Sequence, residues 1–596
     1  MQIKVSDYIF DYLVKNTGVD TVFMLPGGGC MHLVDSLGRT PGLRYVCNLH
    51  EQASVIAAES YAQDRNSLGV ALVTAGPGST NAITGVAGAW IDSTPLLILS
   101  GQAKVEDMMT GKGIRQMGIQ EVDTESLIRP VTKYAKCVKN AADIPYELEK
   151  AVWTAMHGRR GPVWLDLPLD VQGAAIDPDS LPHFLPEAES EFDYSSAAKE
   201  ILNFLRDAKR PCIYAGNGIR AANAIPEFIE LIEKLQIPVL TSWKAADFLP
   251  EDHPLFAGRP GIIAQRGANF VQQTCDCILI LGTRLDLCQT GFNAPHFAPR
   301  AKRLMADIDI HEIEKFGIDF AGKYPADAGK LIRAMLAEKP AALPCQDFLA
   351  KAKEWQKRYP VILPEYLDEA KPLVNLYHLT KVFGDLLGEN DLLIPGSSGA
   401  CAEVTMQAIP VRKGVRIHNT PGLGSMGFGL PACIGGAVAS GKRTVCVIGD
   451  GGLQHNIQEL ETLHRLNLNI KLFVLNNNGY GSIYHMQRGR FAGHFVACHP
   501  ESGLTLPELS RIAGAYRLPY VKIADPRGLE KQVLTVLEMP GSVVCEVMLD
   551  PTVPSAPRLA SEALPDGRMV SKPMEDLAPF LSREELAEIL EGENEE

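Results

Sequence analysis

Two short stretches carry residue types that suit a hard cation. Gly449-Asp450-Gly451 follows the apolar, β-branched run Thr444 to Ile448, and Leu475-Asn476-Asn477 closes the next such run, Ile470 to Leu475. Each run has the length and composition of a strand buried on both faces. Between them Leu453, Ile457, Leu460, Leu463 and Leu466 recur at steps of three and four, which predicts one helix, with Glu459, Glu461 and Arg465 free to face away from its apolar stripe. The unit is then β-α-β. Parallel strands joined by a helix end on the same edge of the sheet, so Asp450 and Asn477 are expected to meet there. A carboxylate and an amide oxygen suit Mg²⁺, whose remaining positions commonly go to phosphate and water. Alone, Gly-Asp-Gly reads as a turn. Paired with Asn477, it reads as a metal clasp for a diphosphate.

A second carboxylate stands far away in the sequence. Glu51, in His50-Glu51-Gln52-Ala53, opens an apparent helix, Glu51 to Gln63, after the strand-like Leu43 to Cys47. The helix dipole favours an acid in a first turn whatever its chemistry. Taken with the clasp, it resembles the thiamine diphosphate (ThDP) enzyme family, whose signature is Gly-Asp-Gly followed by Asn-Asn. The resemblance implies that Asp450, the Asn477 side chain and the Gly479 carbonyl hold Mg²⁺ on the cofactor's diphosphate, with Gly449 and Gly451 allowing close approach. It also implies that Glu51 hydrogen-bonds the aminopyrimidine ring and so drives removal of the thiazolium C2 proton. The cofactor then performs the carbanion chemistry, and the protein supplies position and proton control.

Further stretches are similar to the acetolactate synthase branch of that family, from about residue 1 to about residue 550: Leu25-Pro26-Gly27-Gly28-Gly29, Val73 to Asn81 (VTAGPGSTN), Gly161-Pro162-Val163 with Asp166-Leu167-Pro168, and Gly424-Ser425-Met426-Gly427-Phe428-Gly429-Leu430-Pro431. By this likeness Gly27 and Gly28 let main chain crowd the reacting centre, where a Cβ would obstruct. Gln120 joins Glu51 among the catalytic residues. Met426, beside Gly424, wedges the cofactor into a bent form, and Asn81 lies on the cofactor side. The implied substrates are a 2-keto acid such as pyruvate and an acceptor carbonyl, either a second pyruvate or a different carbonyl, that takes the two-carbon unit. An adjacent His-His pair, which decarboxylases of the family use to protonate the carbanion, is absent from the sequence. Glyoxylate carboligases lack the glutamate that Glu51 supplies.

The departures fall where the acceptor is expected to bind. The branch places an arginine after the acidic residue of the Gly-x-Arg stretch, whereas Gly282-Thr283-Arg284-Leu285-Asp286 is followed here by Leu287 and Cys288. A tryptophan of the branch becomes Met486 and a phenylalanine becomes Ile119. These changes point to another acceptor, such as a ketosugar or an aldehyde. Arg488, Arg490 and His485 are local candidates to replace the lost charge; the alternative is that they are exposed loop residues without partners. A 2-hydroxyacyl-CoA lyase would share the ThDP machinery, and a catalytically silent binding or regulatory homologue would share the fold.

Composition bounds these readings. The 596 residues suffice for three or four domains, and 46% hydrophobic with 21% charged residues is ordinary for a soluble protein. A formal charge of -14 argues against nucleic acid or an anionic membrane as partner. The opening MQIKVSDYIFDYLVKNTG reads as an amphipathic helix rather than a secretion signal, and no apolar run is long enough to span a bilayer. The thirteen scattered cysteines lack paired Cys-x-x-Cys sets and are expected to be buried free thiols of a cytoplasmic protein.

The fold class expected is α/β, with three doubly wound parallel-sheet domains. Residues 1–176 form the ThDP pyrimidine-binding unit, 191–340 a central unit and 365–550 the diphosphate-binding unit, followed by a tail, 551–596. Asp177 to Ser190 has linker composition, and Ser582 to Glu593 reads as a charged helix. In acetolactate synthases the central unit binds FAD. The pieces that resemble that site are Gly216-Asn217-Gly218, Gly258-Arg259-Pro260-Gly261, Gly282-Thr283-Arg284 and Asp307-Ile308-Asp309-Ile310. Related enzymes keep such a domain with no flavin or with another nucleotide. Because Glu51 and the clasp belong to different units, the resemblance further implies a homodimer or homotetramer with the active site between subunits.

Overall fold

The computed structural model describes residues 2–187, 191–396 and 399–591. β1 (Ile3–Lys4) precedes a sheet made of β2 (Thr21–Met24), β3 (Arg44–Cys47), β4 (Gly69–Val73), β5 (Leu96–Gln102), β6 (Tyr134–Cys137) and β7 (Pro162–Pro168); β8 (Ala175–Ile176) returns to pair antiparallel with β1. The central sheet holds β9 (Pro211–Ala215), β10 (Val239–Thr241), β11 (Phe256–Gly258), β12 (Cys277–Leu281), β13 (Lys302–Asp307) and β14 (Gly322–Pro325). The third holds β15 (Asp391–Pro395), β16 (Arg416–Ile417), β17 (Arg443–Gly449), β18 (Ile470–Asn476), β19 (Tyr520–Ile523) and β20 (Val543–Met548). A hairpin in the tail pairs β21 (Ser561–Ala563) with β22 (Met569–Ser571).

Strand order fixes where ligands can bind. With strands counted within each unit, the first sheet, β3-β2-β4-β5-β7-β6, and the third, β16-β15-β17-β18-β20-β19, share the order 2-1-3-4-6-5; the central sheet, β11-β10-β9-β12-β13-β14, runs 3-2-1-4-5-6. All three are parallel, as buried apolar strands alternating with helices require. The central order is that of dinucleotide-binding folds, whose ligand crevice opens where the winding reverses, between β9 and β12. The corresponding switch points lie between β2 and β4 in the first unit and between β15 and β17 in the third. Gly27 follows β2, Thr74 follows β4 and Asp450 follows β17.

The first and third units share one core. The helix Glu51–Arg65 buries residues on every side, from Ala53 through Ala62, because it lies between its own sheet and the helix Gly429–Ser440. The two helices approach so closely that a Cβ on Gly435 would stand 1.9 Å from the Ala57 carbonyl oxygen. Charge then fixes orientation. Asp247 of the central unit takes Arg220 at 2.8 Å and Arg416 of the third at 2.7 Å, and Arg416 donates to the Gln63 carbonyl of the first. Breaking one partner of such a buried set leaves an uncompensated charge, so the set specifies how the units dock.

The helix expected between β17 and β18 is broken into Asp450–Leu453, a tight turn at Gln454–Asn456 and Glu459–Leu466. Glu459, expected to face away, is fully buried: it accepts Asn48 Nδ2 at 2.9 Å and the Leu49 amide at 2.8 Å. The apolar period located the helix but not the neighbouring unit that covers its other face. The last residues of the expected linker, 188–190, and the end of the expected terminal helix lie outside the described residues; within them that helix runs Arg583–Glu591. The thirteen cysteines are free, and apart from Cys47 and the exposed Cys288 they are buried. Among the described residues no helix is long and apolar enough to cross a membrane.

Candidate active site

Asp450 and Asn477 stand at one strand edge, as expected. β17 and β18 are parallel neighbours in register Gly449↔Leu475, so Asp450 and Asn477 leave the sheet one and two residues later on the same side. Asp450 Oδ1 accepts the Gly451 amide at 2.8 Å and Oδ2 the Gly479 amide at 3.1 Å. Burial nevertheless pushes its carboxyl up to about 6, against the opposing pull of those backbone amides. Such a carboxyl is short of positive charge. Beside it, the Asn477 side-chain oxygen is buried and has no hydrogen-bond partner. Gly479, at φ +150, has no room for a Cβ against the Cys498 carbonyl. Gly451 touches Tyr480, whereas Gly449 has open space around it. Among the described residues no group of three or more His, Cys, Asp or Glu could hold a metal, so a cation here would depend on this mixed oxygen set and on phosphate. The donor chemistry fits Mg²⁺.

Glu51 is the first residue of its helix, capped by the His50 side chain, which accepts the Gln52 amide. It is only 7% exposed. Asn81 Nδ2 donates to its Oε2 at 3.0 Å, and Gly78 leaves space where a Cβ would lie 3.6 Å from its Oε1. Gly27 packs on Thr74, where a Cβ would stand 2.5 Å from the side chain; Thr74 Oγ1 is itself buried without a partner. Gly28, in contrast, meets nothing within 4 Å. Gln120 adopts φ +58 with its carbonyl pressed on Gly76, and its side chain is exposed next to Ile119, which is 89% exposed. Glu121 anchors this loop by accepting the amides of Met109, Met117 and Gly118.

The segment around Met426 lies close to the start of the Glu51 helix. Gln52 Nε2 is 3.5 Å from Ser425 Oγ, between Gly424 at φ +65 and the half-buried Met426. Asn456 donates to the Gly427 carbonyl at 3.0 Å and fixes that turn. Sequence reasoning placed Asn81 toward a cofactor and did not foresee it as the partner of Glu51, nor did it find Thr74, Asn48 or Glu459. Thr74 and Asn81 were visible only as members of one glycine-rich motif.

The central unit opens a cavity of about 990 Å³ at its switch point, lined by Gly218, Gly282, Arg284, Asp307 and Asp92 among others. It continues to Gly396, Gly399 and Glu403, at the carboxyl end of β15 beside β17. Gly216 does not line it. A Cβ there would meet the Gly282 carbonyl at 2.3 Å, so Gly216 serves the crossing of the loops after β9 and β12, tied by Gly218 N to Gly282 O at 2.9 Å. Asp307 accepts the Asp309 amide at 2.9 Å, and burial pushes its carboxyl up to about 6. Arg284 reaches the Ile91 carbonyl at 3.4 Å.

This three-unit architecture belongs to a known class. Family models described as thiamine pyrophosphate enzyme N-terminal TPP binding domain, central domain and C-terminal TPP binding domain match residues 3–127, 198–334 and 397–547. The chain belongs to the thiamine pyrophosphate enzyme family. It is 34% identical over 541 residues to the acetolactate synthase isozyme 3 large subunit of Escherichia coli (strain K12), spanning 87% of this chain and 90% of the relative. Acetolactate synthase large subunits of Haemophilus influenzae (30% over 586 residues, 94% and 97% covered) and Lactococcus lactis subsp. lactis (30% over 532 residues, 88% and 89%) are similar throughout.

Proposed function

We propose that the protein is a ThDP- and Mg²⁺-dependent decarboxylating carboligase of acetolactate synthase type. The observation that carries the reading is the unpartnered Asn477 amide oxygen beside the buried Asp450 carboxylate, at the end of two adjacent parallel strands. Asp450, Asn477 and the Gly479 carbonyl would hold the cation that anchors the cofactor's diphosphate. When bound, thiamine diphosphate supplies a stabilised carbanion equivalent at its thiazolium ring. Glu51, oriented by Asn81, would hold a proton at its carboxylate against the aminopyrimidine. Gly78 would keep side-chain bulk away from that carboxylate, with Gly27 packed on the neighbouring Thr74, and Met426 would brace the cofactor. The donor loses CO₂, and the electron pair released forms a carbon–carbon bond to the acceptor carbonyl, whose oxygen takes a proton.

The same reading gives the central cavity to FAD. Its support is the dinucleotide-type strand order and a volume at the upper end of ordinary ligand pockets. It also makes the enzyme a homodimer or homotetramer in which a second subunit completes the site; the exposure of Ile119, Gln120, Met486 and Leu287 supports a covering partner. The test is product identification by mass spectrometry after incubation with Mg²⁺, ThDP, pyruvate and a panel of carbonyl acceptors. Two-carbon adducts with release of CO₂ are expected. Absence of CO₂ release with every 2-keto acid tried would reject the assignment.

A further inference from the structure

The helix Gly481–Arg490 stands directly on the clasp, since a Cβ on its first residue would lie 2.3 Å from Asn477 Nδ2. His485 and Arg488 follow Gly481 at four and seven residues and therefore project from the same face. On that face His485 is half-buried and Arg488 exposed. The tail meets the end of this helix where Arg490 donates to Ser561 Oγ at 3.3 Å, and the segment just before that contact is pinned at every residue from Ser555 to Leu559. Ser555 donates to Glu403 at 3.0 Å, the Ala556 amide to Tyr377 Oη at 2.7 Å, Gln407 to the Pro557 carbonyl at 2.7 Å, the Arg558 amide to the Ala578 carbonyl at 2.9 Å, and the Leu559 amide to the Ile262 carbonyl at 2.7 Å. The Ile262 amide in turn donates to the Cys288 carbonyl at 3.0 Å, which sets Arg558 beside the uncharged Leu287–Cys288 stretch.

Arg558 thus has a fixed backbone and an exposed side chain. Neither its guanidinium nor that of Arg488 has an ion pair or hydrogen bond among the described residues. Both charges reach the His485 imidazole, which burial first and then these arginines hold below its usual range, with Asp550 opposing. Arg490, at the helix end, reaches Ser561 Oγ of the tail hairpin at 3.3 Å. Gathering cations from two segments distant in sequence costs Coulomb energy unless an anion joins them. One guanidinium satisfies a carboxylate bidentately, whereas two with an adjacent imidazole offer donors enough for the three oxygens of a phosphoryl group.

Resting on the carboligase reading, we infer that Arg558 and Arg488, with His485, form a subsite for a phosphoryl group, so that the acceptor is a carbonyl compound carrying a phosphate ester. The phosphate is bound and not transferred. Its place one to two helical turns from the clasp leaves the carbonyl free to face the reacting carbon.

Two measurements on the holoenzyme with ThDP and Mg²⁺ test this. With pyruvate as donor, kcat/KM for glycolaldehyde phosphate is expected to exceed that for glycolaldehyde by about tenfold or more, the loss falling in KM. Arg558→Gln should remove most of that preference and leave the glycolaldehyde rate within about twofold, and Arg558→Lys should restore part of it; Arg488→Gln should likewise lower kcat/KM for glycolaldehyde phosphate. Equal use of the two aldehydes, or a preference untouched by Arg558→Gln, would overturn the inference. By calorimetry, glycerol phosphate should bind saturably and about tenfold more weakly to Arg558→Gln. No binding would overturn the inference even in an active enzyme. Binding without CO₂ release from any 2-keto acid would instead overturn the carboligase reading.

Discussion

Asn81 Nδ2 donates to Glu51 Oε2 at 3.0 Å, linking the helix after β4 to the helix after β3 and fixing which carboxylate oxygen stays free. Glu51→Gln is expected to abolish most CO₂ release from pyruvate while cofactor binding persists, because the amide occupies the same space but cannot hold the proton. Asn81→Ala should lower kcat by about tenfold or more with little change in ThDP affinity, since it frees the carboxylate to turn. Unchanged turnover in Glu51→Gln, measured by CO₂ release, would contradict the role.

The junction of the first and third units depends on Gly435. A Cβ there would overlap the Ala57 carbonyl, and backbone cannot yield as a flexible side chain can. Gly435→Ala should therefore cost about 2 kcal/mol or more of stability, measurable by denaturant titration. An unchanged midpoint would show that the two helices are free to separate.

Asp166 lies in the core of the first unit, where Ser100 Oγ donates to it at 2.5 Å and Gln102 Nε2 at 2.9 Å. Burial outweighs these bonds and pushes its carboxyl up to about 7. A raised acid contributes stability that is complete below its unfolded value and lost as pH rises through the folded one. Relative to Asp166→Asn, which does not titrate, wild type should thus lose at most about 1.4 kcal/mol per pH unit between about pH 4 and 7. Parallel stability curves for the two proteins would contradict this.

If the central crevice takes FAD, the purified protein should be yellow or become so on titration. Arg284→Ala should retain less flavin, because it removes a cation from the cavity wall. Visible absorbance of the washed protein reads the outcome, and a colourless protein that takes up no FAD would contradict the assignment.

Most strands and the shared edge of Asp450 and Asn477 were legible in sequence because buried parallel strands are short apolar runs, and a β-α-β unit brings their ends to one edge. The expected β17 and β18, Thr444 to Ile448 and Ile470 to Leu475, are found one residue longer or less at their ends, as Arg443–Gly449 and Ile470–Asn476. What escaped depends on contacts between units. Glu459 looked like a solvent-facing acid because its partners, Asn48 and Leu49, are some four hundred positions earlier in the chain. Asn81 carried no signal of its own, since a helix-borne amide has many uses. Gly216 read as a ligand glycine, although what excludes its Cβ is the neighbouring loop at Gly282.

The central claim is that Asp450 and Asn477 grip a cation that anchors the cofactor. Calorimetric titration of the apoprotein with ThDP, with and without Mg²⁺, tests it most directly. Wild type should need Mg²⁺ for tight binding, and Asp450→Ala should bind at least about tenfold more weakly with Mg²⁺ present. Equal affinity of wild type and Asp450→Ala, or binding indifferent to Mg²⁺, would contradict the account.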